Sequence, residues 1–341
     1  MMRVSRFRYH AARTVKDAVA ALADAPDAML LAGGTDLVPN MKRRTQTPSL
    51  LVGIRRIPAL SRLENGKGLT IGACVTLEEI ARNRRVQDGW AALAVAAGRV
   101  ATPHLRHMGT LGGNLCLDTR CNYYNQNAEW REAVNYCMKA PSGNGGHACA
   151  SPDGTAICWV ATSSPRCWAV SSTDTAPALI ALAADVSLVG PGGERRIPLE
   201  QLYHNDGMAY LTKAREEMLT AVHCPPAGGW RSTYWKLRRR GSFDFPVLGV
   251  AAAVRLGAGG VVEAARVVLG AVQSHPVLLE ESAALVGRPL GDDAIRELAE
   301  AATKHARPLD NTDFELSWRK KVVKSYVRGA LDELRGGRGR G

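Results

Sequence analysis

Gly109-Thr110-Leu111-Gly112-Gly113-Asn114-Leu115-Cys116 opens the stretch on which the reading of this chain turns, and Arg166-Cys167-Trp168-Ala169-Val170-Ser171-Ser172-Thr173-Asp174 closes it. Six of the chain's eight cysteines lie on it: Cys116, Cys121, Cys137, Cys149, Cys158 and Cys167. From Cys121 to Cys167 the sequence is rich in Asn, Gly, Ser, Pro and Trp and shows no sustained helical or strand period. A segment this long without regular structure is uncommon in a compact domain and marks either function or disorder. Clustered thiols and aromatics argue against disorder and for a bound group.

Upstream stands a second glycine turn. Ala28-Met29-Leu30-Leu31 reads as a short strand, followed at once by Ala32-Gly33-Gly34-Thr35-Asp36-Leu37. Adjacent glycines let a backbone approach a ligand closely, and a helix start offers unpaired N–H groups to phosphate. The pattern is neither G-x-G-x-x-G nor a Walker loop, and by itself Gly-Gly after a strand is more often a plain turn. Thr14-Val15-Lys16-Asp17 and Thr76-Leu77-Glu78-Glu79 read as capping boxes. Leu50–Gly53 and Leu69–Ala73 read as strands and Ala91–Ala97 as a buried helix. Cys74, among apolar neighbours, reads as a structural thiol.

Downstream, Thr175–Ala184 suits a helix with Asp174 at its start. Val186–Val189 and Met218–Val222 suit strands, and Cys224–Gly229 a linker. Arg231–Arg240, Val247–Leu256 and Val261–Leu269 then suit a three-stranded meander. Glu280–Val286, Asp293–Lys304 and Leu316–Leu334 suit helices, and the last seven residues, 335–341, a disordered basic tail.

Composition narrows the classes. The chain has 341 residues, 46% apolar and 22% charged, ordinary for a globular protein of two domains. No apolar run approaches a membrane span, so no membrane role is expected. The N-terminus, Met1-Met2-Arg3-Val4-Ser5-Arg6-Phe7, lacks the apolar centre of a secretory signal. A cytoplasmic location is therefore expected, and there thiols favour metal or redox roles over disulfides. The net charge of +12 raises nucleic-acid binding as a possibility. The basic clusters, such as Lys42-Arg43-Arg44 and Arg238-Arg239-Arg240, are scattered and not interleaved with aromatics, so no nucleic-acid partner is expected. The histidines show no metal spacing, and no acid/base constellation for substrate chemistry emerges.

The cysteine spacings are 5, 16, 12, 9 and 9 residues, without the C-x₂-C knuckles of zinc ribbons. An iron–sulfur cluster and several free thiols both fit that spacing.

Taken together, Leu30–Leu37, Gly109–Leu115 and the Ser172-x-Asp174-x-x-Pro177-Ala178-Leu179 element resemble the FAD-binding medium subunits of the xanthine dehydrogenase and carbon monoxide dehydrogenase family. Ile71–Ile80 and Tyr234–Arg239 support the likeness, which runs from about Phe7 to Leu334. Most members of that family pass directly from G-G-N to the Asp element. The long insertion here contains Arg120-Cys121-Asn122-Tyr123-Tyr124-Asn125-Gln126, Trp130-Arg131 and Tyr136-Cys137-Met138-Lys139. It resembles the insertion of the 4-hydroxybenzoyl-CoA reductase β subunit, which carries a [4Fe–4S] cluster.

The resemblance implies an α+β chain. Residues 1–225 would form a two-subdomain α/β FAD-binding domain of the PCMH/vanillyl-alcohol-oxidase type, with the cluster insertion at about 117–170. Residues 230–334 would form a smaller α+β domain with a three-stranded antiparallel sheet and helices. FAD would rest on Leu31, Ala32, Gly33, Gly34, Thr35, Asp36 and Leu37 from one turn and Gly109, Thr110, Gly112, Gly113 and Asn114 from the other. Val100 would face the flavin ring, Asp174 would accept from FAD hydroxyls, and Lys236 would lie close to the flavin. The cluster ligands implied are Cys121, Cys137, Cys158 and Cys167, with Cys149 in the added segment Pro141–Ala156. No catalytic residue is assigned.

Implied partners are a large molybdenum-cofactor subunit, a small subunit with two [2Fe–2S] clusters, and ferredoxin as donor. Electrons would run from ferredoxin through [4Fe–4S], FAD and [2Fe–2S] to molybdenum, for reductive dehydroxylation of 4-hydroxybenzoyl-CoA. Two other classes stay open. One is an FAD subunit of another molybdenum hydroxylase acting on an aromatic or heterocycle. The other is a cofactor-free binding module.

Overall fold

A computed structural model describes residues 3–140 and 157–336. The expectations for Cys149, for the segment Pro141–Ala156 and for residues 337–341 lie outside the described residues.

Three sheets carry the chain. The first is parallel, with β1 (Arg8–Ala11) and β2 (Met29–Leu31) flanking β3 (Leu50–Gly53). The second has five strands in the order β4 (Leu63–Asn65), β5 (Leu69–Gly72), β8 (Met218–Cys224), β6 (Asp185–Gly190), β7 (Gly193–Pro198). The third is antiparallel and runs β12 (Val277–Leu279), β11 (Val262–Gly270), β10 (Leu248–Leu256), β9 (Trp230–Leu237). It has four strands rather than the expected three, because the three-residue β12 is too short to show a period. The first of its strands also stops at Leu237, not Arg240.

Local chemistry explains most boundaries. The hydroxyl of Thr76 accepts from the Glu79 N–H at 3.2 Å while the Glu79 carboxylate accepts from the Thr76 N–H at 2.8 Å, a complete capping box. At Thr14 only half the box forms: its hydroxyl accepts from Asp17 N–H, but the Asp17 carboxylate turns to Arg13 N–H and His10. Glu280–Leu285 is a 3₁₀ helix rather than an α-helix. The C-terminal helix, Leu316–Arg335, extends one residue into the expected tail, and Gly336 ends it in the left-handed conformation that glycine tolerates.

The main core joins the second sheet to the helices Leu77–Arg82, Ala91–Arg99 and Thr175–Ala181. A second core lies between the third sheet and the helices Asp292–His305 and Leu316–Arg335. The alanine run Ala251–Ala253 on β10 is fully buried and serves both, its alternate residues facing opposite cores. Among the described residues, no helix is long and apolar enough to cross a membrane.

Candidate functional site

The two glycine turns meet. A Cβ on Gly33 would stand 2.0 Å from the Met108 carbonyl oxygen, and one on Gly112 would stand 2.7 Å from the Ala73 Cβ. These two glycines therefore serve contact between backbones. Gly34 serves conformation, at φ +70°. Gly113 is different, since an added Cβ there would meet only the Thr110 hydroxyl, at 3.1 Å.

Between the turns opens a cavity of about 760 Å³. Fourteen of the fifteen residues assigned to FAD from the sequence line it: Leu31 to Leu37, Val100, Gly109, Thr110, Gly112, Gly113, Asn114 and Asp174. Thr110 caps the short helix Leu111–Leu115 by accepting from Gly113 N–H. Asn114 locks that helix to the closing element: its carbonyl oxygen accepts from the Thr173 and Thr175 hydroxyls at 2.8 and 2.6 Å. Val100 is followed by Ala101 at φ +42°, a strained backbone on the cavity wall. Arg106 holds that edge, donating to the Val100 carbonyl at 3.1 Å and to Glu78 at 2.8 Å.

Lys236 is the fifteenth residue, and it stands behind the wall. Its buried ammonium donates to Asp174 Oδ2 at 2.9 Å and to the Arg99 carbonyl at 3.0 Å. Tyr234 donates to the other Asp174 oxygen at 2.8 Å. Burial pushes the Asp174 carboxyl up against the opposing pull of Lys236, and burial pushes Lys236 down against Asp174. Beside Asp174, the Ser172 hydroxyl is buried, lines the cavity and has no hydrogen-bond partner among the described residues. An orphaned hydroxyl of this kind calls for a missing partner. With the backbone N–H groups of the turns, it suits a large polar cofactor such as FAD.

The described cysteines of the insertion also converge. Cys121, Cys137 and Cys167 share one buried cluster with Tyr124 and Ala169, and the Cys167 thiol hydrogen-bonds Cys158. That bond lowers the Cys158 thiol and raises Cys167, while burial raises Cys121 to about 11. Backbone N–H groups of Val160, Ala161 and Trp168 point at the Cys158 sulfur, those of Tyr123 and Tyr124 at Cys121, and Ala169 N–H donates to Cys167 Sγ at 3.4 Å. Such donors stabilise thiolates. Among the described residues, no three His, Cys, Asp or Glu side chains are arranged around a single metal ion. A four-iron cluster asks for something else, because each thiolate takes a separate iron. Arg120 Nε, Asn125 Nδ2 and Arg131 Nε are further buried donors without partners among the described residues. This donor set suits an acceptor-rich sulfide cluster.

Buried charge fixes the insertion to the cavity. Lys139 donates to Asp118 Oδ1 at 2.7 Å, to the Gly207 carbonyl at 2.7 Å and to the Thr119 hydroxyl. Tyr124 donates to Asp118 Oδ2 at 2.6 Å. Arg120 pairs with Asp36 on the first glycine turn, and its guanidinium lies 4.3 Å over the Phe245 ring. Asp118, Arg120, Tyr210 and Phe245 all line the cavity, and sequence reasoning assigned none of them. Arg120 and Lys139 do stand next to or near ligand cysteines in the quoted motifs. Nothing in the sequence pointed to their partners, which for Arg120 lie 80 and 84 residues away. Within the insertion, Asn127 caps a short helix, Ala128–Ala133, where no period was apparent.

Comparison with known proteins accords with this geometry. Residues 5–227 match the FAD binding domain in molybdopterin dehydrogenase, and residues 232–334 the CO dehydrogenase flavoprotein C-terminal domain. The aldehyde oxidoreductase FAD-binding subunit PaoB of Escherichia coli K12 is 31% identical over 95% of this chain and 98% of its own length. The carbon monoxide dehydrogenase medium chain of Hydrogenophaga pseudoflava is 27% identical over 96% of each. The solved carbon monoxide dehydrogenase of Oligotropha carboxidovorans superposes with a TM-score of 0.78 at 25% identity, covering 98% of this chain and 99% of the other.

Proposed function

Because this chain belongs to the FAD-binding medium subunits of the xanthine dehydrogenase and carbon monoxide dehydrogenase family, we propose that it is an electron-transfer subunit carrying two redox groups. FAD would lie in the 760 Å³ cavity, and a [4Fe–4S] cluster would be held by Cys121, Cys137, Cys158 and Cys167. A flavin exchanges one or two electrons and a cluster one, which suits a junction between centres. Val100 and Ala101 would shape the flavin end of the cavity. Ser172 would offer the cofactor a hydroxyl, with Asp174 held in place beside it by Tyr234 and Lys236. The observation that carries the second redox group is the convergence of four buried thiols, three of them served by backbone N–H donors.

The partners proposed are a large molybdenum-cofactor subunit and a small iron–sulfur subunit, with substrate chemistry in the large one. Within that frame the cysteine insertion favours 4-hydroxybenzoyl-CoA reductase, with ferredoxin as donor. The 31% identity to an aldehyde oxidoreductase subunit favours a second reading, oxidation of an aldehyde with electrons leaving through this chain. Assaying the assembled complex with 4-hydroxybenzoyl-CoA plus reduced donor, and separately with aldehydes plus an oxidised dye, separates the two.

The cofactor content is tested on protein purified without oxygen. About four irons and one FAD per chain are expected for a single cubane. Cys158→Ser and Cys167→Ser should each lose the iron and keep the flavin, whereas Cys149→Ser should keep both. Zinc in place of iron, or iron surviving both of the first two substitutions, would refute the cluster assignment.

A further inference from the structure

Arg131 is a buried charge within the cysteine insertion. It is only 4% exposed, in the short helix that precedes Cys137. No carboxylate of the described residues lies within ion-pair distance of it, whereas Lys139, Arg120 and Lys236, the other cations buried around the two sites, each have one. Its Nη2 donates to the carbonyls of Arg43 and Arg44 at 3.0 and 2.9 Å, in the turn that ends the helix Leu37–Lys42 after the first glycine turn. Its Nε is buried and unpartnered among the described residues. Burying a cation without a counter-charge costs several kcal/mol or more. An anionic group beside it would offset that cost.

The acidic groups around Arg131 are Tyr124, Cys137, Tyr136 and Glu129. Tyr124 is locked as a phenol by its bond to Asp118, and Glu129 makes no ion pair with it. Cys137 is the one of the four that the cluster reading makes a thiolate. Between Arg131 and Cys137 the backbone is forced: Asn135 and Tyr136 both adopt left-handed conformations, at φ +57° and +59°, and Tyr136 N–H donates to the Arg131 carbonyl at 2.6 Å. Two successive non-glycine residues in that region are costly, and they turn the chain between Arg131 and Cys137.

We propose that Arg131 is the counter-charge of the tetrathiolate centre, and that its grip on the Arg43 and Arg44 carbonyls ties that centre to the flavin cradle. The inference rests on the cluster reading above. A cube bound by four thiolates is a net anion and gains one more negative charge on reduction. A fixed cation beside it therefore favours the reduced state. Arg131 is a positioning residue: it touches neither substrate nor the transferring electrons, and it acts on the charge of the centre.

The test is a mediated redox titration of the full-length chain, followed by the electron paramagnetic resonance of the reduced cluster, on wild type, Arg131→Gln and Arg131→Lys. Iron and flavin are measured on each. Arg131→Gln should keep the flavin and shift the cluster toward the oxidised form by about tenfold in the equilibrium, about 59 mV lower for one electron. Arg131→Lys should restore most of the shift. If Arg131→Gln loses its iron and Arg131→Lys keeps it, the counter-charge role also stands. Equal potentials in all three proteins would overturn it, as would loss of iron from both variants, which would make the need geometric rather than electrostatic. Wild-type protein with flavin but no iron would sink the cluster reading itself, a result distinguishable from either.

Discussion

The cavity and the cysteine insertion are adjacent and are built by opposite means. The glycine turns hold their cavity by backbone pressed on backbone, with Gly33 against the Met108 carbonyl and Gly112 against Ala73. Among its described residues the insertion has one helix of six residues and little apolar core, and it is hung on buried ions and polar bonds: Lys139 to Asp118, Arg120 to Asp36, Arg131 to two carbonyls. The lesson concerns failure. The cavity should be intolerant of added atoms. The insertion should be intolerant of lost charges.

The largest effect is expected at Gly33→Ala. Its Cβ would meet a carbonyl oxygen at 2.0 Å, and backbone on both sides leaves no flexible group to yield. A loss of roughly 3 kcal/mol or more is expected, with the two turns forced apart and little flavin retained. Flavin content and thermal unfolding of the purified variant read both. A variant with wild-type melting and full flavin would contradict the packing described between the turns.

Next comes Lys139→Met. It leaves the Asp118 carboxylate buried with only Tyr124 and Gln46 as donors. Breaking a buried pair from one side costs about 3 kcal/mol or more. Because Lys139 also holds Thr119 and the Gly207 carbonyl, and Gly207 packs directly on the Cys167 sulfur, the loss should fall on the insertion. Hydrogen exchange should accelerate across 118–140 and leave β10 and β11 protected. Uniform acceleration across the chain would mean that the insertion is not a separate unit of stability.

What the sequence made legible follows the same division. Features settled by neighbours in the chain could be read directly. The Thr76–Glu79 box, the strands at Leu50 and Leu69, the glycine turns and the alanine-rich helix are of this kind. The family likeness then brought fourteen cavity residues together. Features settled by distant partners could not be read. Arg120 finds Asp36 across 84 residues, and Lys139 finds Gly207 across 68. Lys236 was expected close to the flavin only because the family resemblance implies it. Its bonds to Asp174 and the Arg99 carbonyl, 62 and 137 residues away, could not be read from the sequence. The helix Ala128–Ala133 was hidden because its six residues, Ala-Glu-Trp-Arg-Glu-Ala, bury only Arg131 and so show no apolar period.

A smaller effect sharpens the contrast between glycines. At Gly113 an added Cβ meets only the Thr110 hydroxyl, at 3.1 Å, and the position is helical with negative φ. Gly113→Ala should change stability by less than about 1 kcal/mol, since alanine favours the helix. It should still weaken flavin binding, because the new methyl group enters the wall of the cavity. Equilibrium titration of the apoprotein with FAD, beside its melting temperature, separates the two quantities. Equal losses in both would show that Gly113, like Gly33, serves packing alone.

The smallest effect is set by pH. The Arg106 guanidinium beside Glu78, followed by Arg82, holds that buried carboxyl below its ordinary value of 4.5. A carboxyl depressed in the folded state contributes stability that is complete above its unfolded value and is lost as pH falls through the folded one. The window therefore lies below about pH 4.5. Protonating Glu78 frees Arg106, which otherwise fixes the Val100 carbonyl beside the strained Ala101. Flavin release on acidification should begin in that window. Arg106→Met should weaken flavin retention already at neutral pH and flatten the acid limb, because the carboxyl then keeps only Arg82 and titrates closer to its unfolded value. An acid limb as steep in Arg106→Met as in wild type would assign the transition to other carboxylates and leave the cavity edge to be held by packing around Leu105 and Leu77.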